Sequence, residues 1–333
     1  MNPKNNNTNQ IINKIGIIGM GPVGMILALH IKEAGFDVVI CEKRLRKLKL
    51  IQKEGIFLEN TITKQDSFNK FHSSIKKLQG EDLDLLIFSL KTHQMAEAVK
   101  EAAHLKNDNL CVMSAQNGID SERPLAEVFS ESKTMRMVIN FAGNLQAHNR
   151  VNVTFFNPPN YIASIDDSQK EKVEAFSKIL TGVKLETEVV DSFTLLRTIW
   201  GKTILNSSIS AICAIGKFTI KEAMEMPEMV EIIEQVMFET VKVAEAEKIK
   251  FEDDFVRKCL TYLRNAGDHI PSLAEDLHNN RKTEIDYFNG KIVEYGRKHY
   301  IQTPMNLAFA SMVKAITRKT LYDFLGKNQL TKK

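Results

Sequence analysis

The segment Ile15-Gly16-Ile17-Ile18-Gly19-Met20-Gly21-Pro22-Val23-Gly24 runs a short apolar strand straight into G-x-G-x-x-G. In such a turn the first glycine permits the tight bend, the second lets backbone approach a pyrophosphate, and the third lets helix pack on strand. Pro22 to Ala34 reads as that helix. Met25, Ile26, Leu29 and Ile31 supply its apolar residues, and Gly35 stands where a C′ glycine belongs. Its free N–H groups and positive dipole end face the same point as the glycines. Asp37-Val38-Val39-Ile40-Cys41 then reads as a buried strand, so strand, helix and strand fit the roughly thirty residues that a dinucleotide-binding unit requires. Gly19, Met20, Gly21, Pro22, Val23 and Gly24 are the expected cradle.

The residues just after the second strand bear on the cofactor. Glu42 sits where a carboxylate holds the ribose 2′-OH of NAD, whereas Lys43, Arg44, Arg46 and Lys47 suit the 2′-phosphate of NADP. The cations outnumber the carboxylate and favour NADPH. Glu42 leaves NADH open. A solvated basic turn is the plain alternative.

A chain of 333 residues is comfortable for two domains, and its 43% hydrophobic content is ample for their cores. The formal charge of +4 is small for this size and gives no reason to expect nucleic acid. Apolar runs fall short of the roughly eighteen residues that span a bilayer, so no membrane association is expected. Met1 to Asn13 is polar and Asn-rich without an apolar h-region. It reads as a disordered tail rather than a signal peptide. Cys41, Cys111, Cys213 and Cys259 are far apart in apolar surroundings. They read as core thiols in a reducing compartment, hence a cytoplasmic protein.

From residue 15 to about 190, strand and helix patterns alternate. Leu83–Leu90, Leu110–Ser114, Met135–Phe141, Val151–Phe156, Tyr161–Ile165 and Lys184–Val190 read as strands. Met95–His104 and Gln169–Leu180 read as helices. Such alternation predicts an α/β fold with a mostly parallel, doubly wound sheet, its later strands antiparallel. After Asp191 strand signals vanish and long helical patterns follow one another, Met229–Glu247 having the widest apolar face. The expected layout is a tail over 1–13, a Rossmann-type domain over 14–190 and an all-helical substrate-binding and catalytic domain over 191–333.

Ligands of open α/β sheets bind at the carboxyl ends of strands. That selects Lys91, after the Leu83–Leu90 strand, and Asn117, in Gln116-Asn117-Gly118 after the next. In the helical region Lys202 and Asn206 lie at i, i+4, on one helix face. No His, Cys, Asp or Glu grouping has metal-ligand spacing, so no metal is expected.

At these residues the chain resembles the ketopantoate reductase family. The resemblance is collinear over nearly the whole folded part. It is carried by the glycine turn, Ser89-Leu90-Lys91-Thr92-His93-Gln94, Gln116-Asn117-Gly118, Trp200-Gly201-Lys202 with Asn206, Ser272 with Asp276, and most specifically Arg281-Lys282-Thr283-Glu284-Ile285-Asp286-Tyr287-Phe288-Asn289-Gly290. It implies NADPH-dependent reduction of 2-ketopantoate to D-pantoate, in the cleft between a Rossmann domain and a helical domain. Lys202 matches the general acid that protonates the developing alkoxide, and Glu284 the carboxylate that partners substrate and lysine. Asn117 matches an asparagine near nicotinamide and lysine, Asn206 and Ser272 match substrate contacts, and Lys91 a cofactor-side lysine. The chemistry is reasonable: hydride delivery to a ketone builds negative charge on oxygen, which a nearby ammonium stabilises and can protonate.

Three places depart from the family pattern. Ser210-Ala211 stands where an asparagine followed by proline is usual, so Ser210 takes a substrate-contact position with a shorter donor. Phe155-Phe156-Asn157-Pro158-Pro159-Asn160 replaces a glycine-rich stretch, and Glu42 precedes the basic residues, of which Lys43, aligned from Gly35, or Arg44, aligned from Gly55, takes the family's 2′-phosphate arginine position. Two rivals arise: a related reductase of another 2-keto acid, or an imine-forming variant, and a non-catalytic dinucleotide-binding regulator. Retention of both Lys202 and Glu284 weighs against the regulator. A monomer and a homodimer are both compatible with the sequence.

Overall fold

The computed structural model describes residues 11–330, with side chains as far as residue 320. The chain forms two compact units, the first reaching Leu196 and the second starting at Arg197.

The first unit opens with β1 (Lys14–Ile18), α1 (Pro22–Glu33), β2 (Asp37–Cys41), α2 (Leu45–Glu54), β3 (Ile56–Asn60), β4 (Lys64–Asp66) and β5 (Lys70–His72). It continues with β6 (Leu85–Phe88), α3 (Met95–Ala102), β7 (Cys111–Ser114), α4 (Arg123–Phe129) and β8 (Thr134–Val138), then β9 (Phe141–Ala147), β10 (Arg150–Phe156), β11 (Asn160–Ser164), α5 (Lys170–Gly182) and β12 (Thr187–Val189). Eight strands make the main sheet, in the order β12-β11-β8-β7-β6-β1-β2-β5. Its pairs are parallel except β11 with β8. The expected doubly wound α/β sheet is therefore present, with its reversed strands, β11 and β12, late in the chain.

A second, four-stranded sheet, β4-β3-β10-β9, goes beyond the sequence expectation. The sequence pattern between residues 42 and 83 suggests only a basic turn, yet it holds α2, β3, β4 and β5. These strands are short, and alternation over three to five residues carries little signal. The small sheet explains why α1 is apolar all round. α1 packs against β1 and β2 of the main sheet and against β3, β4, β9 and β10 of the small one, so Gly24 through Ile31 are all buried, His30 among them. α1 ends at Glu33 with Ala34 as its cap, and Gly35 supplies the left-handed turn at φ +88°.

The second unit contains most of α6 (Ser192–Gly216), then α7 (Ile220–Glu225), α8 (Pro227–Ala246), α9 (Phe255–Arg264), α10 (Ser272–His278), α11 (Asn289–Lys298) and α12 (Pro304–Leu330). Its core gathers Ile204, Ile209 and Ile212 of α6 with Ile233 and Met237 of α8, Leu260 of α9 and Leu273 of α10. The expected change to helices is observed. The helix that the sequence pattern does not reveal is α10, only seven residues long.

Two boundaries differ from expectation. The first unit extends past 190 because the Ser192 amide and hydroxyl both donate to the Asp167 carboxylate (2.8 and 2.6 Å). At the other end Ile12 is 2% exposed, and the Asn13 and Lys14 amides donate to Asp84 Oδ2 (2.8 and 3.0 Å). Residues 11–13 thus belong to the fold, and the rest of the expected tail lies outside the described residues. Cys41, Cys111, Cys213 and Cys259 are buried, free thiols. Burial pushes Cys41, Cys213 and Cys259 up to about 12, so they are unreactive core groups. No helix among the described residues is long and apolar enough to cross a membrane.

Candidate active site

Each glycine of the turn has a distinct reason. Gly19 holds φ +94°, and a Cβ there would lie 2.6 Å from Leu90 Cδ2. A Cβ on Gly24 would lie 2.1 Å from the Gly19 carbonyl oxygen and 2.5 Å from Ser89 Oγ, so helix and strand meet where only glycine fits. Gly21 differs. A Cβ added there would find the Ser89 carbonyl oxygen nearest, 3.9 Å away, so no protein atom crowds this position. Gly21 caps α1, with Pro22 at its first turn. Ser89 Oγ donates to the Gly19 and Ile18 carbonyls (2.7 and 3.1 Å), tying the end of β6 to the turn. A backbone cradle with an open position at a helix N-terminus fits a dinucleotide pyrophosphate.

Beyond β2, Glu42 and Arg44 do not compete but pair. Arg44 Nε and Nη2 donate to the two Glu42 oxygens (2.9 and 2.8 Å), and the Arg44 and Met20 amides donate to the same carboxylate (3.0 and 3.2 Å). Burial alone would raise the Glu42 carboxyl; the hydrogen bonds and charge of Arg44 outweigh it and hold it below the usual range. Glu42 is 3% exposed and the Arg44 side chain 56% exposed, so a ligand arriving from solvent meets Arg44 first. Lys43 and Arg46 are exposed. Lys47, which the sequence places in a surface cluster, is instead 0% exposed, and its Nζ has no hydrogen-bond partner.

Lys91 and Asn117 follow β6 and β7, both half-buried. Their loops are joined, since Thr92 Oγ1 donates to the Asn117 carbonyl (3.4 Å). Sequence reasoning misses the group that fixes the Asn117 loop. Arg136, buried on β8, donates from Nη2 to the Gly118 carbonyl (3.1 Å) and from Nη1 to Ser114 Oγ (2.6 Å) and Ser121 Oγ. The Glu122 carboxylate lies 3.7 Å from its Nε. Gln116 Nε2 donates to the Phe88 carbonyl (2.6 Å). An arginine in an apolar strand pattern is the available signal.

In the second unit, Lys202, Asn206 and Ser210 lie four residues apart on α6 and so form a row along one helix. Lys202 and Asn206 are half-buried and Ser210 is buried. Trp200 lies edge-on to Tyr295 of α11, ring centroids 5.5 Å apart. Ser272 is exposed in the first turn of α10. Glu284 is 8% exposed, on a segment held by several ties. Arg281 Nε donates to Asp276 Oδ1 (2.8 Å) and the Arg281 amide to the Asp276 carbonyl (2.8 Å). His278 Nε2 bonds the Ala214 carbonyl (3.1 Å), and Asn289 Nδ2 donates to the Ser207 carbonyl (2.9 Å). His278 and Asn289 are thus the struts that hold α10 and the Glu284 segment against α6, while Asp276 ties that segment to α10.

The profile described as ketopantoate reductase PanE/ApbA matches residues 15–166, and that of its C-terminal region matches residues 194–317. The chain belongs to the ketopantoate reductase family. It is 28% identical over 306 residues to 2-dehydropantoate 2-reductase of Pyrococcus horikoshii, spanning 91% of this chain and 97% of that one. It is 26% identical over 312 residues to the protein of the same name from Aquifex aeolicus, spanning 92% and 97%. Among solved structures, the PanE/ApbA family ketopantoate reductase from Ralstonia eutropha shares the fold with a TM-score of 0.83 at 23% identity, covering 92% and 99% of the two chains. A D-mandelate dehydrogenase with NADH and anilino(oxo)acetate also reaches 0.83, at 21% identity over the same shares.

Against this family, the departure at Phe155–Asn160 is accommodated locally. β10 runs to Phe156, the Asn157 amide donates to the Asn140 carbonyl (2.8 Å), and Asn140 Nδ2 donates to the Pro159 carbonyl (2.6 Å).

Proposed function

We propose that this chain is an NADPH-dependent 2-dehydropantoate 2-reductase, converting 2-ketopantoate to D-pantoate on the route to pantothenate and coenzyme A. The observation that carries the reading is the row Lys202, Asn206, Ser210 on one helix, with buried Glu284 on a segment pinned to that helix. A nicotinamide dinucleotide, when bound, supplies the hydride. The turn Gly19-Met20-Gly21-Pro22-Val23-Gly24 holds its pyrophosphate, Lys43 and Arg44 its 2′-phosphate, and Lys91 and Asn117 line its path.

Lys202 stabilises the charge that develops on the ketone oxygen and gives it a proton. Glu284 holds the lysine and the substrate in register. Asn117, Asn206, Ser210 and Ser272 donate hydrogen bonds to the polar groups of the keto acid. The reading includes a cytoplasmic enzyme, monomer or homodimer, acting on a small molecule.

The test is loss of nicotinamide absorbance with ketopantoate, run in parallel with NADPH and NADH. Rapid oxidation of NADPH is the expected result. Confirmed cofactor binding without oxidation overturns the substrate assignment. It then favours the second reading, reduction of another 2-keto acid, for which the shorter donor Ser210 is the specific observation.

A further inference from the structure

A buried ammonium without a partner is an expensive arrangement, and proteins resolve it by neutralising the amine or by supplying an anion. Lys47 is such a group. It is 0% exposed, its Nζ lacks any hydrogen-bond partner, and it belongs to the first turn of α2, directly after the Glu42–Arg44 pair. The charged groups that act on it are those two: Arg44 disfavours its charge and Glu42 favours it. Burial is the larger influence, and the amine is brought down to about 7.

We propose that Lys47 is a specificity-determining residue for the phosphorylated cofactor, taking a proton from solvent as a 2′-phosphate settles beside Arg44. The inference rests on the NADPH reading. The charges explain the coupling. Ionised Glu42 and Arg44 cancel, and neutral Lys47 adds nothing, so the positive charge left at this turn is that of Lys43 and Arg46, which are exposed and screened by water. A 2′-phosphate brings close to two negative charges, of which Arg44 matches at most one while it stays tied to Glu42 and the solvated Lys43 only a part. Protonated Lys47 supplies the missing positive charge without exposing a new side chain. NADH has a hydroxyl in place of that phosphate, adds no charge and gives Lys47 no reason to ionise. Selectivity for the phosphorylated cofactor then depends on pH, falling as the medium becomes too alkaline to protonate the amine.

Proton uptake is measured by titrating the full-length protein with NADPH in a calorimeter, in two buffers of different ionisation enthalpy at about pH 7.5. A phosphate monoester is already almost fully ionised at that pH and contributes little of its own. The expected result is uptake of roughly half a proton or more per NADPH and close to none per NADH. In Lys47→Met the uptake disappears, NADPH binds about tenfold more weakly and NADH affinity is unchanged, which also shows that the variant is folded. NADPH binding with no uptake by the unaltered protein overturns the proposal and leaves the cofactor reading standing. Equal uptake by Lys47→Met does the same. NADH binding with no NADPH binding overturns both. Should Lys47→Met fail to fold, the comparison of NADPH with NADH on the unaltered protein still decides.

Discussion

The two units place their candidate ligand-binding groups in opposite ways. In the first, the cradle is backbone: Gly19, Gly21 and Gly24 matter for the side chains they lack, and Gly24 would drive a Cβ to 2.1 Å from a carbonyl oxygen. In the second, the row Lys202, Asn206, Ser210 is all side chain, and its setting depends on ties from residues far along the chain, such as Asn289 to Ser207. A site built from backbone tolerates few residue types at few positions. One built from side chains is only as well placed as its struts.

The sharpest way to break this contrast is to damage each kind of site and read binding and turnover separately. Lys202→Ala should lower kcat by about 100- to 10,000-fold and leave dinucleotide affinity near its original value. Gly21→Val should do the reverse, weakening the dinucleotide by about 100-fold, because the added side chain fills the opening where the nearest protein atom is 3.9 Å away. Fluorescence titration with steady-state kinetics separates the two, and an unchanged kcat in Lys202→Ala would remove the lysine from its assigned role.

This difference also explains how much can be read from the sequence. The glycine turn, the parallel sheet around it and the passage to helices are written in local patterns: close glycine spacing, short apolar strands, long 3.6-residue periods. The candidate residues Lys91 and Asn117 can be picked out because each follows a recognisable strand, and Lys202 and Glu284 because each lies in a motif of the family resemblance. The supports cannot. Arg136 reaches the Gly118 carbonyl across eighteen residues and Asn289 reaches Ser207 across eighty-two, and no local pattern encodes such a tie. Lys47 misleads for a similar reason. A lysine between Arg46 and Leu48 looks like surface, and only the packing of α2 buries it. The small sheet escapes notice because β3 and β4, which complete it beside the legible β10, are too short for periodicity to declare them.

Arg136 offers the next test, since it is a side-chain strut inside the unit that otherwise relies on backbone. Arg136→Met removes a buried cation that faces Glu122 and three oxygen acceptors. Burial already pushes the Glu122 carboxyl up, and the charge of Arg136 is the main influence that offsets this. Losing one partner of such a pair should destabilise the protein by about 3–5 kcal/mol in urea unfolding. Adding Glu122→Gln should restore part of the loss. No recovery in the double variant would place the main role of Arg136 in its bonds to Gly118, Ser114 and Ser121.

Acid should act on the same unit through His30. Burial takes this imidazole down to about 4, the Ile26 carbonyl opposing at 2.7 Å, and its Nε2 has no partner. The folded value lies below the unfolded one, so the unfolded state binds the proton first. Stability is complete above about pH 6.5 and is lost as pH falls toward 4, by roughly 3 kcal/mol at the lower limit. Carboxylates such as Glu42 add their own acid dependence, so the quantity to measure is the difference between the unaltered protein and His30→Leu across that window. Parallel pH profiles for the two would show that His30 is protonated in the folded state without penalty.

The smallest effect is also the one that bears most directly on side-chain struts. Asn289 donates from Nδ2 to the Ser207 carbonyl and to Asn306 Oδ1 (2.9 and 3.0 Å), while its own Oδ1 is buried without a partner. Asn289→Ala strands two acceptors but also removes one unsatisfied oxygen, so the net loss of stability should be only about 1–2 kcal/mol. Its effect on the substrate should exceed what that loss implies. Ser207 lies between Asn206 and Ser210 on α6, and releasing its carbonyl frees that turn of helix to shift under both donors. The expected signature is a KM for the keto acid raised several-fold with dinucleotide affinity unchanged, because nothing in the glycine turn depends on Asn289. A drop in stability with KM unmoved would mean that α6 holds its row of donors without help from α11, and the helix alone would then account for the placement that is here assigned to the strut.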